Sequence, residues 1–175
     1  MRRRHPSLAQ ELPRRWLMTD ERLGERLWDA LAALPKGSGV ILRHYGLPPA
    51  ERRVLFARIA RIARRRGLVL VVAGTERLEH APRHGRYRGA LTAPVHSRRE
   101  AIAAVRNGAK LIFVSPVHAT RSHPGARTLG AVRLGLLIRG SNVPVIALGG
   151  MNERRWRALR PLGVYGWAGI DGWSG

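Results

Sequence analysis

The chain of 175 residues contains no cysteine, which excludes disulfides, zinc–thiolate sites and a cysteine nucleophile. Lysine is nearly absent: Lys36 and Lys110 are the only two, and every other basic residue is arginine. Acids are scarce as well, 11 against 32 basic residues, for a net charge of +21. Aromatic residues make up 6% of the chain, with phenylalanine only at Phe56 and Phe113. A nucleic-acid reader usually stacks bases on interleaved aromatics, so this thinness weighs against one. The arginines run from Arg2 to Arg160 without gathering into a patch, as a general taste for arginine codons would leave them. Attraction of phosphorylated small molecules follows from the charge in either case. There is no run of about 18 apolar residues, so nothing is expected to span a membrane. The start, Met1-Arg2-Arg3-Arg4-His5-Pro6, has no apolar segment behind it and does not read as a secretory signal. The cytoplasm is therefore the default expectation.

What is present is an alternation. Hydrophobic residues reach 45%, ordinary for a globular domain. Residues 1–13 read as a basic tail and 14–175 as one domain. Short β-type runs begin at Arg15, Gly39, Leu68, Leu91, Lys110, Pro144 and Tyr165. Between them lie helical stretches, Glu21 to Leu34, Pro49 to about Arg66, Ser97 to Asn107, about Ala131 to Arg139 and Asn152 to Leu162. Thr75 to Ala81 is a short helix at most. Leu68-Val69-Leu70-Val71-Val72-Ala73 has no polar face, as in parallel sheets covered on both sides. Ser97 with Glu100 three residues on forms a capping box. Strands alternating with helices predict an α/β fold with a parallel sheet. A TIM (β/α)₈ barrel typically takes about 250 residues, and this chain is shorter. The deficit falls at residues 82–90, Pro-Arg-His-Gly-Arg-Tyr-Arg-Gly-Ala, a loop-like stretch. The expectation is a shortened barrel with the fourth βα unit reduced or missing, and a doubly wound open sheet is the alternative.

In either architecture chemistry sits at the carboxyl ends of the strands. Ala147-Leu148-Gly149-Gly150-Met151-Asn152 runs a buried strand into two glycines and a helix start. Glycines let backbone N–H groups approach an anion, and barrels commonly bind phosphate after their last two strands. The segment Ser115 to Gly125 is a long loop carrying His118, Thr120, Arg121, Ser122 and His123, the composition of a functional loop on a rigid scaffold. His96 stands at a strand end, and an imidazole suits proton transfer near neutral pH.

These residues carry a resemblance. Leu17-Met18-Thr19-Asp20, Leu42-Arg43, His96-Ser97 through Asn107-Gly108-Ala109, Ser115-Pro116-Val117 with Thr120, Pro124-Gly125, Gly149-Gly150-Met151 and the last strand follow the order and spacing of the thiamine phosphate synthase family, which includes the thiazole tautomerases. The resemblance implies a TIM barrel and a transferase of thiamine biosynthesis. That synthase joins a pyrimidine diphosphate to a thiazole phosphate and releases pyrophosphate with magnesium, whereas a tautomerase moves a proton on thiazole phosphate. Position by position, Arg43 matches the arginine that meets the diphosphate, and Thr120 a threonine of the loop after strand six. Gly149 and Gly150 match the thiazole-phosphate loop, and His96 matches the tautomerase acid/base. The implied site is His96, Arg43 and His123 as catalytic groups, with Thr120, Ser122, Gly149, Gly150, Gly169, Ile170 and Asp171 binding phosphate and substrate.

Several family positions are replaced. Tyr45 stands for a lysine, Ala73-Gly74-Thr75 for Asn-Asp-Arg, Pro94 for a serine, His123 for the loop lysine and Asp171 for the last-strand serine. The second magnesium aspartate belongs to the missing unit. Of the acids, only Asp20, Glu76 and Asp171 come from segments that reach the working face. No metal ligand is therefore assigned, and magnesium is implied only with retained synthase activity. The expected partners are phosphorylated small molecules, thiazole phosphate first and then the pyrimidine diphosphate. A thiazole tautomerase-like enzyme using His96 is one alternative, and a basic nucleic-acid-binding protein without activity is another. The oligomeric state stays open, a homo-oligomer included.

Overall fold

A computed structural model describes residues 12–120, 125 and 127–173. Eight parallel strands pair in chain order and close into a barrel. They are β1 (Arg15–Met18), β2 (Gly39–Leu42), β3 (Val69–Ala73), β4 (Arg83–His84), β5 (Thr92–Val95), β6 (Leu111–Val114), β7 (Val145–Leu148) and β8 (Gly166–Gly169). Closure comes from β1 against β8, with Trp16 opposite Ala168. The helices are α1 (Arg26–Ala33), α2 (Pro49–Arg66), α3 (Arg98–Arg106), α4 (Gly130–Ile138) and α5 (Glu153–Leu159).

The shortening lies where the sequence puts it, but it removes different parts. The strand is kept: β4 is two residues long, pairing Ala73 with His84 on one side and His84 with Thr92 on the other. What is absent among the described residues is helix, since neither the link from β3 to β4 nor that from β4 to β5 forms one. Thr75–Ala81 thus lacks even the short helix allowed for it. The expected helix from Glu21 to Leu34 is split into a 3-10 turn, Glu21–Leu23, and α1, because Gly24 takes φ +49. Leu12 and Pro13 are tied to the barrel, their carbonyls accepting from the Tyr165 hydroxyl and the Trp16 indole.

Local chemistry explains the rest. α2 has proline in its first turn and ends at Gly67, whose left-handed backbone lets its N–H reach the Ala63 carbonyl. Ser97 caps α3, its hydroxyl accepting from the Glu100 N–H, and the Glu100 carboxylate returns to the N–H of His96. That return bond fastens the end of β5 to the helix start. The barrel interior is filled by side chains: Phe113 meets both Trp16 and His84 edge-on, each at 5.2 Å between ring centres. The His84 ring hydrogen-bonds the Thr92 hydroxyl through Nδ1, at 2.8 Å. Burial, with Arg43 nearby as a lesser cause, pushes its pKa down to about 3, so it sits neutral in the core. No described helix is long and apolar enough to cross a membrane.

Candidate active site at the carboxyl mouth of the barrel

The carboxyl ends of the strands surround a cavity of about 910 Å³. Arg43 follows β2, His96 follows β5, Thr120 lies in the loop after β6, Gly149-Gly150 follow β7, and Gly169, Ile170 and Asp171 close β8. All of them line this one cavity. Ser122 and His123 lie outside the described residues. His118 does not line the cavity; it sits behind the β7 turn, where burial and then Arg155 lower its pKa.

The β7 turn is fixed to the loop after β6. Val117 donates to the Leu148 carbonyl and His118 to that of Gly149, at 2.9 and 3.1 Å. Gly149 and Gly150 have φ of +95 and +58, and a Cβ on Gly150 would run into the Ala119 carbonyl oxygen. Only glycine fits both the backbone conformation and the space. Arg155 reaches back from α5 to the Gly150 carbonyl, which brings a guanidinium to the turn.

His96 has a defined tautomer. Its Nδ1 lies 2.9 Å from the Ser115 carbonyl oxygen and 3.3 Å from the Ser115 hydroxyl. A carbonyl only accepts, so Nδ1 carries a proton, and in the neutral ring Nε2 holds the lone pair. An exposed imidazole at the cavity wall with a free Nε2 can take a proton and return it.

Arg43 is held from both ends. Its N–H donates to the Thr19 hydroxyl at 3.0 Å, and that hydroxyl also hydrogen-bonds Nδ1 of His44, 2.9 Å away. Its guanidinium reaches Oδ2 of Asp20 at 2.7 Å. The other Asp20 oxygen accepts from the N–H and the Nε of Arg22, at 3.1 and 2.7 Å. Burial alone would raise the Asp20 carboxyl, but the bonds from Arg22 and the charge of Arg43 outweigh it and hold the pKa below the ordinary value.

The residues do not fit magnesium. The ion needs carboxylate oxygens in octahedral array, and Asp20, which accepts from Arg22 and Arg43, does not line the cavity. Glu76 is committed to the buried Arg52 at 2.8 Å. Asp171 is the one carboxylate among the described residues of the cavity wall. No group of three or more histidines and acids able to hold a metal forms among the described residues.

Sequence reasoning passed over Arg86, Tyr87 and Arg155, which also line the cavity. Arg86 and Tyr87 follow β4, so the strand-end rule finds them once that strand is known. Arg155 carries no signal of its own beyond following the glycine turn in a helix start.

Comparison with known proteins adds the following. Residues 78–172 match the family model described as thiamine monophosphate synthase. A putative thiamine-phosphate synthase 2 of Aquifex aeolicus is 38% identical over 76 residues, 43% of this chain and 41% of that protein. A thiamine-phosphate synthase of Pyrococcus furiosus is 33% identical over 79 residues, 45% of this chain and 38% of that protein. The chain therefore matches less than half the length of these curated relatives. Among solved structures, thiamine phosphate pyrophosphorylase from Pyrococcus furiosus superposes with a TM-score of 0.76 at 22% identity, covering 91% of this chain and 86% of that one. The enzyme FabK from Thermotoga maritima, as its M276A mutant, gives a TM-score of 0.65 at 18% identity, covering 92% and 61%. At such identities these superpositions speak for the barrel fold.

Proposed function

The chain belongs to the thiamine monophosphate synthase family of thiamine biosynthesis, and from that membership we propose that it binds a phosphorylated thiazole and moves a proton on it. The observation that carries the reading is the convergence of Arg43, His96, Thr120 and the two glycine-bearing turns, from five strand ends, on one cavity. The thiazole phosphate would rest on the Gly149-Gly150 turn and the Gly169-Ile170-Asp171 turn. There backbone N–H groups and the Arg155 guanidinium favour a dianion. Thr120 supplies a hydroxyl from the loop after β6, Ser122 is a further candidate from the sequence, and Asp171 borders the phosphate from the last strand. His96 acts as the acid/base: Nε2 removes the ring proton and gives it back at the tautomeric position, while the Ser115 carbonyl holds the imidazole in place. His123 is the second acid/base candidate.

The replaced family positions and the occupied Asp20 carboxylate favour proton transfer over synthase chemistry, in which the pyrimidine diphosphate would be the co-substrate. Calorimetric titration of thiazole phosphate, with and without the pyrimidine diphosphate, tests the reading. Saturable one-to-one binding with a shallow salt dependence is expected. Absence of binding, with RNA or DNA bound instead at an affinity falling steeply with salt, would replace it with the nucleic-acid reading.

A further inference from the structure

We propose that this cavity holds a diphosphate group through guanidinium side chains alone, with no divalent cation between ligand and protein. The inference rests on the reading of the cavity as a site for phosphorylated ligands, and it concerns how the second and larger anion would be held.

Among the described residues, three guanidinium groups, Arg43, Arg86 and Arg155, line the cavity against the single carboxylate of Asp171. A diphosphate is a polyanion whose oxygens match the planar fork of arginine, which binds phosphate bidentately. Arg43 is the most committed of the three. Its Nη2 is held by Asp20, but its Nε is buried and has no hydrogen-bond partner among the described residues. A buried donor of this kind calls for an acceptor, which a ligand phosphate oxygen would supply once the side chain turns toward it. Arg86 is half-exposed after β4, 3.3 Å from Glu100, and Arg155 stands at the β7 turn.

The same charges that favour the anion remove the metal's ligands. Arg22 and Arg43 direct three N–H donors at the oxygens of Asp20. A cation there would sit beside two guanidinium groups that repel it. Glu76 is likewise turned to Arg52. The arginines thus stand where a metal's charge would otherwise be needed, and they hold the ligand without supplying octahedral geometry.

Inorganic pyrophosphate is titrated into the full chain by calorimetry, once with EDTA and once with excess magnesium. Binding in EDTA is expected to be at least as tight as with magnesium. Arg43→Gln should weaken it tenfold or more, and Arg86→Gln, at an exposed position that folding does not need, at least threefold. Heat that appears only with magnesium would overturn the proposal, as would EDTA binding unchanged in both variants. Thiazole phosphate titrated in the same buffers separates the two readings. Thiazole-phosphate binding without metal-free pyrophosphate binding overturns this inference alone, and the converse overturns only the proposed function.

Discussion

Arg52 donates a 2.7 Å hydrogen bond to the carbonyl oxygen of Ala73, the last residue of β3. Its guanidinium also reaches the Arg43 carbonyl at 3.1 Å and Glu76 at 2.8 Å. One buried side chain from α2 thereby ties together the ends of β2 and β3, beside the β3–β4 link that forms no helix. Arg52→Met keeps most of the apolar stem but strands these acceptors, at about 1–3 kcal/mol for each group left buried and unpaired. The variant should lose about 3 kcal/mol in urea unfolding. An unchanged midpoint would show that the barrel end does not depend on this pin.

His84 gives a pH prediction. Its pKa falls from 6.5 to about 3 on burial, so between those values the unfolded chain binds a proton that the folded chain does not. Stability therefore rises with pH in that window and is lost as pH falls from about 6.5 toward 3, at up to about 1.4 kcal/mol per pH unit from this group. Acids with lowered pKa values, such as Asp20 and Glu153, act in the same direction, so the test is a difference. His84→Gln should flatten the stability profile between pH 4 and pH 6 relative to the parent. Parallel profiles would show that His84 takes up its proton in the folded state.

Much of this was legible because strand order and the strand-end rule are coarse features of sequence. The apolar run of β3, the capping box at Ser97 and the glycine pair after β7 each announce one local structure. β4 was not legible. Two residues, Arg83 and His84, are too few for any periodicity, and both are polar in sequence although His84 is buried. Missing that strand hid Arg86 and Tyr87, since a residue cannot be placed at the end of an unrecognised strand. The split before α1 was hidden for another reason: Leu23 and Leu27 keep helical spacing across Gly24, and only the backbone angle there reveals the break. The pairing of Asp20 with Arg22 is local, part of a helix cap, but its pairing with Arg43 is tertiary and has no signature in spacing.

His96→Asn should lower proton exchange on bound thiazole phosphate by about 10² or more while leaving phosphate affinity nearly intact. Deuterium exchange at the thiazole ring reads the first and calorimetry the second. Exchange as fast as in the parent chain would make His96 structural and move attention to His123.

Synthase turnover should be weak. Pyrophosphate release from thiazole phosphate and the pyrimidine diphosphate, with magnesium present, is expected at least about 10²-fold below that of a fully equipped family member. Rates comparable to such an enzyme would mean that Asp20, Glu76 or Asp171 gives up its present partners to the metal.

The phosphate of the bound thiazole is assigned to two backbone turns, and the most direct measurement reads those amides. In a ¹⁵N-labelled chain titrated with thiazole phosphate, the N–H resonances of Gly149, Gly150, Gly169 and Ile170 should shift together and saturate at one equivalent. Those of Gly37 and Ser38, before β2 at the opposite end of the barrel, should stay in place. Gly150→Ala, which drives a methyl group into the Ala119 carbonyl, should weaken the titration at least tenfold. Shifts confined to other residues, or none at all in the folded chain, would contradict the site and with it the proposed function.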